Sequence, residues 1–153
     1  MQGRIGKVFA LGILLVLAGC ASAGSVQNAP LHAGIGRTFE AGFDKTLAAA
    51  REAAVETGLQ IESASQVDQD TWMIIGKKAT SAFSWGELVR VVVIRDSAER
   101  TTVRVHSARR IKTNITAKGD YANSILSNIE LKLSIAARSE ERRVGKECRS
   151  RWS

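Results

Sequence analysis

LVRVVVIRDSAERTTVRVHS, residues 88–107, reads as two strands and the turn that joins them. Val89, Val91, Val92, Val93 and Ile94 make Leu88 to Arg95 the strongest strand signal in the chain, because β-branched side chains suit a pleated surface. Asp96-Ser97-Ala98-Glu99 supplies the turn. Along Arg100 to Ser107, Val103 and Val105 fall on one side, and Thr102, Arg104 and His106 on the other. That alternation is the period of a strand with one buried face. Neighbouring strands with a short link pair antiparallel.

Moving toward the N-terminus, Thr71 to Lys77 carries Trp72, Met73, Ile74 and Ile75, which predicts another strand. Asp68-Gln69-Asp70 is a turn, and Leu59 to Val67 alternates as a half-buried strand. Residues 79–85 read as a loop. From Asp44 to Gly58 the spacing of Phe43, Leu47, Ala50 and Ala54 places an apolar stripe on one helix face, with Gly58 as the stop. Toward the C-terminus, Arg109 to Lys118 is basic and irregular. Ala122, Ile125, Ile129, Leu133 and Ala136 then give Asp120 to Ala137 helical spacing, widened by Leu126. The order is helix, four strands, helix. The expectation is a two-layer α+β sandwich over residues 37–137, with two helices on a four-stranded antiparallel sheet.

The N-terminal segment carries a different message. Arg4 and Lys7 precede an uninterrupted apolar run, Val8 to Leu17, and then Ala18, Gly19 and Cys20. The run has the length of a signal-peptide core, roughly 7–15 residues, and falls short of the roughly 20 needed to cross a bilayer. Leu17-Ala18-Gly19-Cys20 resembles the lipobox of bacterial lipoproteins. The resemblance implies that residues 1–19 are a signal peptide cleaved between Gly19 and Cys20. It further implies a diacylglycerol thioether on Cys20 and an acylated new amino group. Ala21, where an aspartate would signal inner-membrane retention, implies export to the outer membrane, facing the periplasm, if the organism is Gram-negative. Residues 20–36 are small, polar and glycine-rich and read as a lipidated cysteine on a flexible tether. The domain resembles small periplasmic lipoprotein families without a known activity, and its element order also resembles the small helix-plus-antiparallel-sheet domains of some assembly-machine lipoproteins.

Residues 138–153, RSEERRVGKECRSRWS, resemble a translated sequencing adapter: AGATCGGAAGAGCGTCGTG is one back-translation of the opening. This reading sets the tail aside as non-native. It also removes Cys148 as a disulfide partner for Cys20.

Charge then loses its apparent message. Of the formal +7, Arg4 and Lys7 supply +2 and the last stretch a net +3, so +2 remains for residues 20–137. A domain so near neutral has no global electrostatic reason to bind nucleic acid.

Chemistry is sparse. His32 lies in the tether and His106 on a polar strand face, so with both cysteines spoken for no metal set assembles. Ser84-Trp85-Gly86-Glu87 lacks the flanking glycines of a nucleophile elbow, and Gly34-Ile35-Gly36 is misplaced for a phosphate-binding turn. Asp68, Asp70 and Glu87 are the acids whose meeting would suit a minor envelope hydrolase. Arg104, Arg109, Arg110 and Lys112 form a basic cluster suited to anionic lipid, lipopolysaccharide phosphate or peptidoglycan carboxylate. Trp72 and Trp85 are read as packing residues, Trp85 with a contact role if exposed. The sequence thus predicts a non-catalytic envelope module without cofactor beyond its acyl chains. The membrane is its first partner, and an envelope protein or cell-wall component, met through the sheet edge or loop 79–86, its second.

Overall fold

Glu87–Arg95, the apolar run that anchors the sequence reading, is the central strand of five. The computed structural model describes residues 26–78, 87–109 and 121–150. Within them the elements are β1 (Ile35–Phe39), α1 (Phe43–Glu56), β2 (Leu59–Asp68), β3 (Thr71–Lys78), β4 (Glu87–Arg95), β5 (Thr101–Arg109) and α2 (Tyr121–Ser150). All pairings are antiparallel, in the order β1-β5-β4-β3-β2. The fold is α+β.

The expected count of four strands is corrected to five. β1 precedes the first helix and pairs with the last strand, Ile35 opposite Val105 and Phe39 opposite Thr101. Only five residues long and begun beside two glycines, it carries a weak local signal, and its partner lies some 64 positions away, so no hairpin turn announces it. Expected half-buried, β2 is instead an edge strand in which only Leu59 is buried. β4 has both faces covered, and its first seven residues are all buried.

One sheet face carries the helices. Register places Ile74, Val89, Val91, Val93, Val103 and Val105 together there, against Ala50, Ala53 and Ala54 of α1 and Ile125, Leu126 and Ile129 of α2. Small alanines let α1 approach closely, and the β-branched strand residues fill the gap. Trp72 packs under this layer as expected, with the Arg51 guanidinium 5.3 Å from its ring centre. α1 and α2 are also stitched together by Lys132, which donates to Glu52 (3.0 Å) and Glu56 (2.6 Å). Those two hydrogen bonds, Glu56 first, raise the Lys132 pKa.

α2 continues through the adapter-like residues to Ser150 rather than stopping at Ala137. Glu, Arg and Lys are good helix formers, so propensity alone carries the helix onward. From Ala137 to Arg142 every residue is exposed.

The opposite face is closed by the segment expected to be a tether. Val26 is fully buried against Ile75 and Leu88, with Met73 beside them. The chain then crosses β4 and β5 to reach β1 at the sheet edge. Gly34 makes the last step with φ +94°, where a Cβ would lie 2.2 Å from the Val105 carbonyl oxygen. Only glycine fits that approach. The expectation of a flexible tether is therefore corrected for residues 26–36, which belong to the folded unit; residues 20–25 lie outside the described ones.

Candidate functional site

Strand alternation puts Leu88, Arg90, Val92, Arg104 and His106 on the face away from the helices. Arg90 sits at the centre of β4 and is fully buried. Burying a cation costs several kcal/mol or more, so its donors need acceptors. They find backbone oxygens of the strap, residues 26–34. One terminal nitrogen donates to Ala29 O and, at 3.4 Å, to Gln27 O; the other donates to Pro30 O at 2.7 Å. Among the described residues no carboxylate forms an ion pair with it, and its Nε has no hydrogen-bond partner. Burial lowers the Arg90 pKa from its ordinary range. Three carbonyls in a turn are a fitting acceptor set for a planar fork.

Arg104 repeats the device one strand over, donating to His32 O at 2.9 Å. Its side chain lies flat over Gly36, where an added Cβ would meet it at 3.2 Å. His106 stands directly opposite Arg90. Burial first, and the Arg90 charge second, lower the His106 pKa, favouring the neutral ring. The result is two arginines, Arg90 and Arg104, whose partners are strap carbonyls, with His106 on the same face.

The remaining expected site residues fall as follows. Gly19 and Cys20 lie outside the described residues, as do Arg110, Lys112, Trp85 and loop 79–86. Arg109 ends β5 at the register position opposite Glu87. Asp68 and Asp70 flank the β2–β3 turn, where Asp68 accepts from the Asp70 backbone N–H at 2.9 Å. Glu87 pairs in register with Lys78, at the far end of β3 from Thr71. Seven residue steps separate the two ends, roughly 24 Å at the strand rise. The three acids do not converge, and the paired-carboxylate arrangement is corrected on that geometry. His32 is an exposed strap residue. No group of three metal-ligating side chains occurs among the described residues. No described helix is long and apolar enough to cross a membrane.

An open cavity of about 880 Å³ lies where α1 begins beside α2, lined by Phe39, Phe43, Asp44, Glu99, Leu133 and Glu140 among others. Its charges are largely spoken for: Lys45 binds Glu140, Arg37 binds Glu130, and Arg100 binds Glu40. Part of its wall comes from the adapter-like tail.

Arg90 was the residue that sequence reasoning passed over. Its signal was present: one charge inside LVRVVVI, a run too apolar to be a solvated face. A lone cation there demands a polar cover, and the strap supplies it. The chain matches no protein-family model and no curated protein.

Proposed function

We propose that the mature protein is a lipid-anchored envelope lipoprotein, held by acyl chains on Cys20, whose α+β domain is a non-catalytic binding or accessory module. The observation that carries this reading is Leu17-Ala18-Gly19-Cys20 directly after a charged start and a ten-residue apolar run. The thiolate is the side-chain nucleophile best suited to alkylation. Two or three acyl chains give durable attachment where one is marginal, at about 0.8 kcal/mol per buried methylene. The separation of Asp68 and Asp70 from Glu87 favours binding over hydrolysis. In a Gram-negative cell the anchored domain faces the periplasm from the outer membrane.

The test is intact mass and fractionation of the full-length gene product from a bacterial host. Loss of residues 1–19 and a mass gain of two or three acyl chains are expected, abolished by Cys20→Ser. An unmodified thiol on a chain retaining Met1, found with cytosolic proteins, would overturn the reading. Crosslinking in intact cells then identifies the protein or cell-wall partner.

A second reading has one observation behind it: Arg104 has no carboxylate partner among the described residues and shares its face with His106. An accessory for anionic lipid or glycan would show salt-sensitive binding that Arg104→Glu weakens.

A further inference from the structure

The strap changes how far the domain can stand from its anchor. Were residues 20–36 a free tether, the domain could turn in any direction. Val26 is instead buried on the sheet, and carbonyls of Gln27, Ala29, Pro30 and His32 are held by Arg90 and Arg104. Only six residue steps then separate Cys20 from a fixed point, a reach of about 20 Å at full extension. The helices lie on the other side of the sheet. A helix layer is about 10 Å thick and its axis stands about 10 Å from the sheet. To turn that layer toward the bilayer, the short link would have to pass around the sheet edge and span the whole thickness.

We infer that the strap-covered face of the sheet is the membrane-apposed face of the anchored protein, and that its partner is a phospholipid surface carrying anionic headgroups. This rests on the reading of Cys20 as the lipidated residue. The face suits the role. Arg104 is only partly buried and, among the described residues, is partnered by a carbonyl and by no acid, so it can also engage a headgroup phosphate. Leu31, 38% exposed, precedes His32 in the strap and leaves an apolar side chain open on it. The helix layer is left pointing away from the membrane, open to other envelope components, while the β2 edge runs alongside the bilayer.

The experiment uses the full lipidated protein in vesicles of phosphatidylethanolamine and phosphatidylglycerol containing a headgroup nitroxide lipid. A fluorophore is placed on Ser65→Cys, on the strap side of β2 opposite Met73, or on Leu131→Cys, exposed on α2; both carry Cys148→Ser. Several-fold stronger quenching at position 65 than at 131 is expected. Inserting twelve Gly/Ser residues between Ser25 and Val26 leaves the fold intact and should bring the two positions toward equality. Arg90→Met, which frees the strap, should do the same. Equal or reversed quenching in the parent protein, with acylated Cys20 verified by mass, overturns this inference alone. A free Cys20 overturns the lipoprotein reading and the inference with it.

Discussion

Arg90 and Val91 are neighbours on one strand, and both are removed from water, with exposures of 0% and 1%. They point to opposite faces of the sheet and are covered by different means. Val91 is covered by apolar packing on the helix side, within a core that runs from Phe39 to Ile129. Arg90 meets a turn-rich strap through directed hydrogen bonds to three of its carbonyls, beside a small apolar cluster of Val26, Ile75 and Leu88. The first cover stabilises by area and shape. The second stabilises by satisfying donors, and it is specific to one placement of the strap. The helix face therefore supplies most of the global stability, while the strap face fixes where the chain leaves the domain.

Ile74→Ala on the helix face is the sharpest way to test the division. Ile74 is fully buried in the core, so truncation should cost about 2–5 kcal/mol of global stability, read by urea denaturation. A loss below 1 kcal/mol would mean that the helix layer is not the main core.

Arg90→Met probes the other face and should cost about 1–3 kcal/mol, because strap carbonyls lose their donors while the apolar stem is kept. The distinguishing readout is local. Backbone amides of residues 26–34 should exchange many-fold faster with solvent, while those of Val91 and Ile129 exchange in proportion to global stability. Uniform acceleration across the molecule would erase the proposed difference between the faces.

The contrast also explains what the sequence disclosed. Helix α1, helix α2 and strands β2 to β5 were legible because their signals are periodic and local: alanines and leucines at helical spacing, valines alternating along Thr101–Arg109. β1 and the strap were not. Val26, Gly34 and Ile35 gain their roles from residues far along the chain, Leu88, Val105 and Arg90, and a glycine-rich opening without periodicity reads the same whether it is tethered or docked. Arg90 held the only local clue. The basic cluster was legible as composition, yet composition could not say that Arg104 is occupied by a strap carbonyl.

His106→Gln sharpens the account of the strap face. The folded-state pKa of His106 lies below its ordinary value near 6.5, so the unfolded chain takes up a proton that the folded chain resists. Stability should then fall as pH drops through about 6.5 and level off below the folded pKa. Arg90 opposes protonation from the facing strand, so the imidazolium would weaken the face that binds the strap. Thermal midpoints measured between pH 7.5 and 5.5 should decline in the parent protein and stay flatter in the glutamine variant. Parallel profiles would show that this ring plays no part.

The smallest effect is expected beyond the sheet altogether. Glu140 reaches back from the adapter-like part of α2 to Lys45, with nitrogen to oxygen at 2.8 Å and both side chains 59% exposed. An exposed pair of this kind contributes about 0.2–1 kcal/mol at most, and salt screens it further. No residue from Ala137 to Arg142 is buried, so the helix there persists on propensity and the continuity of α2 rather than on packing. Removing residues 138–153 should accordingly leave the denaturation midpoint within about 0.5 kcal/mol of the parent, with only helical signal lost. Were the shorter chain to lose as much stability as Arg90→Met, the tail would be a third cover on the domain, and its resemblance to adapter sequence would have to yield to a structural role.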